Sequence, residues 1–281
     1  MIDLFEKLDT GSVVLDLGSG SGSFDYMANT HLEIIGIEPF FLDESDPTVQ
    51  KARREHPAVR YYETSASDLS AVAASSVDAV VANNTFEHFD DIPGVLQELQ
   101  RVLKRDAYIY AALPDGNGYD DRLYRWLWNG GGHVNQFGFD EFVALVCDTL
   151  AGFQLDSSIE ISSGFNYLRP VSPETAHQAR PSARWVVSHP RCSVLVRNAL
   201  AVGSVACDAA FGSHTHRYGF GYYFSRGHEG ENRLQFPRAN MWTCIECGTV
   251  LRPERSLPER LRCQNCGASN IVFRTRQSST A

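Results

Sequence analysis

The sequence contains little lysine and no long uninterrupted apolar segment. Three of its 25 basic residues are lysines, and none lies near the glycine-rich segment at residues 18–22. A phosphate-binding P-loop is thereby excluded, because it needs Gly-Lys-Ser/Thr. The opening MIDLFEKLDTG has acids where a signal peptide would have basic residues, and no apolar segment follows it. Residues 192–211 are interrupted by Arg197, Asn198 and Asp208, which predicts no membrane span. We therefore expect a cytoplasmic protein.

The sequence also lacks internal repeats and low-complexity tracts, and its charge is unevenly distributed. Residues 1–165 hold 10 Lys/Arg against 27 Asp/Glu, a balance of -17, whereas residues 166–281 hold 15 against 7, a balance of +8. The first part does not attract nucleic acid unaided. The second part favours an anionic partner only weakly, since most of its basic residues are arginines that genome composition can explain.

Short apolar runs alternate with amphipathic segments over the first 165 residues. This alternation indicates βαβ units and hence an α/β fold, a mostly parallel sheet with helices on both faces. The predicted strands are residues 13–17, 34–38, 59–63, 77–82, 107–113, 153–161 and 220–224. The predicted helices are residues 22–29, 47–56, 92–103, 140–150 and 193–211. We divide the chain into a core of residues 1–165, a helical acceptor region of residues 166–235 and a cysteine-rich module of residues 236–281.

A glycine-rich loop follows the first predicted strand. Its spacing, from Asp16 to Gly22, is Asp-x-Gly-x-Gly-x-Gly. Glycines let the backbone turn sharply and approach a ligand at the N-terminus of the next helix. The dinucleotide fingerprint needs a glycine where Ser23 stands, which disfavours a dehydrogenase.

This loop resembles motif I of class I S-adenosylmethionine-dependent methyltransferases, and the resemblance continues in register through about residue 160. Glu38 ends the second strand, SVDAVVANNTFEH (residues 76–88) is similar to the family's fourth strand and the motif after it, and RVLK (residues 101–104) to its next helix end. The resemblance implies a Rossmann-like, seven-stranded, mostly parallel sheet. It also implies that S-adenosylmethionine is the cofactor, with Glu38 accepting hydrogen bonds from the ribose hydroxyls. The implied cofactor-binding residues are Asp16, Gly18, Ser19, Gly20, Gly22, Glu38, Pro39, Ser65, Ala66 and Asn83, with Asp68 as an alternative to Ser65 for the adenine.

The acceptor is predicted by elimination. The segment after strand four lacks the Asn-Pro-Pro-Tyr signature of amide and adenine nitrogen methylation and the Pro-Cys pair of pyrimidine carbon methylation. An oxygen acceptor with a general base remains, and His133, His88 and Asp115 are the base candidates, since each lies at a predicted strand end or loop. The segment GGGHVNQF (residues 130–137) is similar to one found in methyltransferases of glycan and natural-product pathways. We therefore expect a small-molecule or glycan acceptor.

Two CxxC pairs, Cys244/Cys247 and Cys263/Cys266, are separated by fifteen residues. Four thiolates at this spacing are typical of a structural zinc site, and a glycine after each second cysteine permits the tight turn of a zinc ribbon. Two disulfides are the alternative, which a reducing compartment disfavours.

Two rival functions remain open. The first is methylation of RNA or protein delivered by the basic ribbon. The second is a non-catalytic binding protein, which the intact glycine loop and Glu38 disfavour.

Overall fold

The structure is a computed structural model that describes residues 2–20, 31–39, 50, 54, 59–227, 234, 242–243, 250–251, 259–262 and 269–272. Seven strands form one sheet: β1 Val13–Leu17, β2 Glu33–Ile37, β3 Arg60–Tyr62, β4 Val77–Asn83, β5 Leu103–Pro114, β6 Phe153–Ser162 and β7 Arg217–Arg226. The described helices are α1 Ile2–Lys7, α2 Ile92–Val102, α3 Tyr119–Leu127, α4 Phe139–Thr149, α5 Pro173–Ala176, α6 Arg184–Ser188 and α7 Pro190–Phe211. Short 3₁₀ turns lie at Phe86–His88 and Asn166–Leu168.

The strand order across the sheet is β3-β2-β1-β4-β5-β7-β6. The neighbours among β1 to β5 pair in parallel. Strand β7 runs antiparallel to its two neighbours, β5 and β6. The Arg226 side chain at the end of β7 donates to the Leu103 carbonyl at the start of β5, which shows the opposite direction of these two strands. The Ser163 N–H just after β6 likewise donates to the His216 carbonyl just before β7. The predicted Rossmann-like sheet of seven mostly parallel strands is thus confirmed.

The central strands are apolar on both faces because both are covered. Leu15 and Leu17 of β1 belong to one buried cluster with Leu96 and Leu99 of α2. Val14, the residue before Leu15, belongs to the opposite cluster with residues of α1. A parallel sheet buried on two sides needs such runs, and the alternation follows the two-residue period of a strand. Asp91 starts α2 by accepting a hydrogen bond from the Gly94 N–H at 3.0 Å, as an N-cap residue does.

The observed elements differ from the predicted ones at particular places. Leu103 begins β5 instead of ending α2, because its backbone is extended. Helix α3 was not predicted. The predicted helix at 22–29 lies outside the described residues, and of the helix at 47–56 the structure describes Gln50 and Arg54, both helical. The cysteines 244, 247, 263 and 266 also lie outside the described residues. Each CxxC falls between two paired strands, β8 Trp242–Thr243 with β9 Val250–Leu251, and β10 Glu259–Arg262 with β11 Ser269–Val272.

The chain separates into two compact units. The first comprises Met1–Gly116, Gly132–Ser158 and Phe220–Phe236, and the second comprises Asn117–Gly131, Ile159–Gly219 and Pro237–Ala281. The second unit has its own buried cluster, which includes Leu127, Phe165, Leu168 and Val187.

Helix α7 of the second unit is, within the described part of the chain, the one helix long and apolar enough to cross a membrane. This criterion rests on length and composition alone, and 11% of the apolar window in this helix is buried. Asp208 near the end of α7 accepts hydrogen bonds from Ser213, Thr215 and His216. The expectation that this segment is not a span stays a prediction.

The second unit also contains a buried carboxyl group. Asp120 is 1% exposed and accepts hydrogen bonds from the hydroxyls of Ser163 and Tyr167. Burial raises the pKa of Asp120 to about 6, although the two hydrogen bonds lower it in part. The folded protein therefore binds a proton more tightly at this site than the unfolded chain does.

This raised pKa predicts a pH-dependent loss of stability. Between the unfolded pKa near 4 and about 6, the folded state holds more protons at Asp120, so the free energy of unfolding falls as pH rises through that range. The loss is about 3 kcal/mol at pH 7, from about two pKa units. Urea unfolding from pH 4 to 7 should show this loss in the wild type and not in Asp120→Asn. The exposed Asp90→Asn is the control, and a wild-type minus Asp120→Asn difference that stays constant with pH would contradict the assignment.

Candidate active site

The loop after β1 follows a path that favours glycine at two positions. Gly18 and Gly20 have φ of +66° and +56°. The N–H groups of Gly18 and Ser19 donate to the Ile37 carbonyl at 2.8 and 3.0 Å. A Cβ at Gly18 would collide with the Thr85 side chain, whereas a Cβ at Gly20 would have no atom within 4 Å. The loop is therefore packed on one side and open at Gly20. Gly22 lies outside the described residues.

Two carboxylates lie at this edge of the sheet. The Gly20 N–H donates to Glu38 Oε2 at 2.9 Å, which fixes the Glu38 side chain beside the loop. Asp16 is 3% exposed. Burial, and then the charge of Glu38, raises the pKa of Asp16 well above its usual range. Asp16 Oδ2 and Ser19 Oγ are buried and have no hydrogen-bond partner among the described residues.

The segment after β3 holds the residues assigned to adenine. Ser65 is exposed and Ala66 is buried. Ser65 Oγ lies 2.9 Å from Ser67 Oγ, and the carboxylate of Asp68 accepts from the Ser70 N–H. Both polar side chains thus have contacts within their own turn. Pro39, which follows Glu38, is exposed.

The end of β4 is attached to the end of β1. Thr85 Oγ1 lies within hydrogen-bond distance of two carbonyl oxygens, that of Leu17 at 3.1 Å and that of Asn83 at 3.2 Å. Asn83 is exposed at this edge, and Asn84 has a left-handed φ of +55°. Left-handed non-glycine residues are uncommon and concentrate at functional sites. Sequence reasoning assigned no role to Thr85, whose importance follows from the collision it would have with a side chain at residue 18.

The loop that carries His133 is attached to the 3₁₀ turn after β4. The N–H groups of Val134 and Asn135 both donate to the Glu87 carbonyl, at 2.9 and 3.0 Å. The Asn135 side-chain amide donates to the carbonyls of Phe86 and Phe89, at 3.1 and 2.6 Å. Four hydrogen bonds therefore join two segments that lie more than 40 residues apart in sequence. Asn135 is a positioning residue that the sequence reasoning did not single out.

The three glycines before His133 have left-handed backbones, with φ of +101°, +60° and +78° at Gly130, Gly131 and Gly132. A Cβ at Gly131 would collide with the Tyr124 ring. The Gly132 carbonyl lies 2.9 Å from His88 Nδ1. Since a carbonyl only accepts, Nδ1 carries the proton, and a neutral His88 then has its lone pair on Nε2.

His88 and His133 lie together. Their ring centroids are 4.8 Å apart, with an angle of 78° between the ring planes. Glu87, which is 2% exposed, completes a cluster in which one ligand atom of each side chain lies within 4.8 Å of the others. Sequence reasoning quoted Glu87 only as part of the fourth-strand motif. Its neighbour in sequence, His88, is exposed.

Asp115, the third base candidate, is 4% exposed at the end of β5. The next residue, Gly116, donates its N–H to the Phe137 carbonyl at 2.9 Å. A Cβ at Gly116 would meet the Gln136 backbone at 2.6 Å. The segment 133–137 is therefore attached to the ends of both β4 and β5, and Asp115 lies beside that attachment.

Part of this chain is similar in sequence to known proteins. Residues 15–111 match a family model described as "Methyltransferase domain". This match covers 97 of the 281 residues. The biotin biosynthesis bifunctional protein BioHC of Cellvibrio japonicus is 31% identical to it over 97 residues, 34% of this chain. The chain spans 18% of the length of that curated relative.

Solved structures resemble this chain in fold. The YcgJ protein of Bacillus subtilis has a TM-score of 0.53 at 17% identity, covering 82% of this chain and 97% of that one. The phosphoethanolamine N-methyltransferase 2 of Haemonchus contortus, in complex with phosphomonomethylethanolamine and S-adenosylhomocysteine, has a TM-score of 0.51 at 15% identity. That match covers 80% of this chain and 51% of the other.

Substitution of the two loop glycines, Gly18 and Gly20, should cause different losses of stability. Gly18→Ala adds a collision with Thr85 to the cost of a left-handed φ, and we expect a loss of about 2–5 kcal/mol. Gly20→Ala has open space and should lose about 1–2 kcal/mol, from φ alone. Urea unfolding measures both. Equal losses would show that Thr85 is not the obstacle, and Gly18→Ala/Thr85→Ser should recover part of the larger loss.

Proposed function

We propose that this protein transfers a methyl group from S-adenosylmethionine to a hydroxyl group of a saccharide or other small metabolite. The observation that carries the proposal is the edge formed by the open loop at Gly20 and the Glu38 carboxylate it orients. Strand order reverses between β1 and β4, and ligands of open α/β sheets bind at such a point. The matched family and a neighbour in complex with S-adenosylhomocysteine support the same reading.

The residues present fit this cofactor. The space at Gly20 accepts a group close to the backbone, and the buried Asp16 Oδ2 and Ser19 Oγ are polar atoms beside it. We assign the ribose hydroxyls to Glu38, because an oriented carboxylate accepts two hydrogen bonds. The loop residues Gly18, Ser19, Gly20 and Gly22 with Asp16 would hold the amino acid part. Asn83 and Pro39 would contact the nucleoside, with Ser65 and Ala66, or Asp68, at the adenine.

The chemistry asks little of the protein beyond alignment and proton removal. S-Adenosylmethionine supplies a methyl group on a positively charged sulfur that leaves as a neutral thioether. The acceptor oxygen forms the new bond to carbon, and its proton goes to a base. His88 Nε2 carries a lone pair if the ring is neutral, and His133 lies against that ring. We place His133 and His88 first and Asp115 third as the proton acceptor.

We extend the proposal to a structural zinc ion held by Cys244, Cys247, Cys263 and Cys266. The support is that each CxxC connects two antiparallel strands, the arrangement of a zinc knuckle. Four thiolates fill the coordination shell, so this metal would stabilise the fold and take no part in catalysis. Thiolate ligands also fit the reducing cytoplasm in which we place the protein.

Methylation of RNA remains the second candidate, favoured by one observation. Residues 166–281 carry a balance of +8, which attracts polyanions in a salt-dependent manner. Incubation of the protein with radiolabelled S-adenosylmethionine and fractionated cell extract distinguishes the two candidate functions. Label in glycans or small molecules supports our proposal, and label in RNA or protein replaces it.

Glu38→Gln should weaken S-adenosylmethionine binding about 10- to 100-fold, because hydrogen bonds to a charged group are lost. Isothermal titration calorimetry measures the effect. The matched control is Glu33→Gln at the start of β2, the strand that Glu38 follows. The Glu33 carboxylate is exposed and pairs with Arg60, so the affinity of this variant should be that of the wild type. An unchanged Glu38→Gln affinity would refute the placement of the ribose.

His133→Ala should reduce turnover about 10²- to 10⁴-fold if His133 removes the proton. Its S-adenosylmethionine affinity should stay unchanged, because the residue lies on the acceptor side. Turnover is measured on the acceptor found in the labelling experiment, with the exposed His177→Ala as control. Normal turnover in His133→Ala would exclude His133 from the mechanism.

A further inference from the structure

Glu87, His88 and His133 form a group of metal ligands that the proposed function does not fully use. They offer one carboxylate oxygen and two imidazole nitrogens, all within 4.8 Å of one another. Two imidazoles and one carboxylate are a recurrent donor set for divalent transition-metal ions, and three protein ligands leave coordination positions open. The three side chains come from two segments, the turn after β4 and the glycine loop.

The hydrogen bond to His88 is the kind that orients a ligand. Nδ1 donates to the Gly132 carbonyl at 2.9 Å, so the neutral ring directs its lone pair from Nε2. Imidazoles that bind metals almost always donate their other N–H to a carbonyl or a carboxylate. The carbonyl that fixes His88 belongs to the residue before His133. One peptide therefore orients the first histidine and leads into the second.

The backbone around the cluster is held before any ion binds. The Glu87 carbonyl accepts from the N–H groups of Val134 and Asn135, and the Asn135 amide donates to the carbonyls on either side of the cluster's turn. Phe86, 1% exposed, packs against Phe142 with ring centroids 5.1 Å apart. The turn that presents Glu87 and His88 is thus anchored in the core. Because the backbone is already ordered, metal binding costs less conformational entropy.

The separations suit a site that closes slightly on binding. Ligand atoms at about 2.1 Å from a metal lie roughly 3 to 3.4 Å from one another. The present limit of 4.8 Å therefore asks for rotations of the exposed His88 and the half-buried His133. The Glu87 carboxylate, almost fully buried, is the least mobile ligand.

We propose that Glu87, His88 and His133 bind one divalent transition-metal ion, and that its open positions take the acceptor hydroxyl. The metal site is inferred from the cluster alone, whereas the binding of the acceptor hydroxyl to the ion rests on the proposed function. A Lewis acid at this place makes the hydroxyl more acidic without a general base. The hydroxyl proton then passes to water, the oxygen lone pair forms the bond to the methyl carbon, and the carbon–sulfur bond breaks with its electron pair on sulfur. His88 and His133 act as ligands in this version.

Manganese(II) is the probe, because a site made of four cysteine thiolates prefers zinc and Mn²⁺ is paramagnetic. The purified chain of 281 residues, never exposed to chelators, is titrated with MnCl₂, and free Mn²⁺ is followed by electron paramagnetic resonance. We expect one Mn²⁺ per chain and spin-echo modulation from imidazole nitrogen. Glu87→Gln and His133→Asn should each weaken binding at least about tenfold. The exposed His177→Asn should bind as the wild type does.

The outcomes separate this inference from the proposed function. S-Adenosylmethionine affinity is measured by calorimetry without Mn²⁺, so cofactor binding with no Mn²⁺ site would overturn the inference alone. Mn²⁺ binding that persists in His133→Asn, or that shows no nitrogen modulation, would also overturn it. Because His133 lies on a loop, the His133→Asn variant tests the metal site even if Glu87→Gln fails to fold. Circular dichroism checks that each variant is folded.

Discussion

The peptide carbonyl of Glu87 is the contact on which the candidate active site depends. It accepts two N–H groups of the glycine loop, while Asn135 holds the carbonyls of Phe86 and Phe89. Together with the bond between His88 Nδ1 and the Gly132 carbonyl, these bonds keep His133 beside His88. The attachment lies at the carboxyl ends of β4 and β5, where a parallel sheet presents its functional residues. The acceptor side of the site is therefore built by backbone hydrogen bonds as much as by side chains.

The cofactor side depends on a different constraint, the close approach of β1 to β4. Thr85 occupies the space that a side chain at Gly18 would need, and its hydroxyl lies within hydrogen-bond distance of the last carbonyl of β1. The loop must then turn away toward Glu38, whose carboxylate accepts from Gly20. Glu38 in turn contributes to the raised pKa of Asp16, after burial. The edge therefore pairs an oriented carboxylate with an acid whose pKa is raised.

A base and a metal ligand make different uses of the same imidazoles. As a base, His133 needs a lone pair facing the acceptor, and the buried Glu87 would serve only to orient the rings. As ligands, all three side chains converge on one ion and the acceptor binds the same ion. Sheets of this fold host many reactions, so the arrangement of the side chains, and not the fold, determines which of the two roles the imidazoles have. The carbonyl bond to His88 Nδ1 serves either use, because it leaves the lone pair on Nε2 in both.

The sequence by itself determined the sheet, the glycine loop and the strand ends, since two-residue alternation and glycine spacing are local properties that follow from covalent geometry. It also indicated His88, His133 and Asp115 as residues at loops and strand ends. Only the tertiary structure decided that Glu87 joins the two histidines, that Asn135 holds the loop, and that Thr85 makes Gly18 necessary. Backbone carbonyls accept from any residue's N–H, so the partner of Glu87, more than 40 residues away, leaves no pattern in the sequence. Helix α3 was missed for a related reason: the burial of Asp120 and Asp121 within it depends on the tertiary structure, as the contact of Asp120 with the distant Ser163 shows.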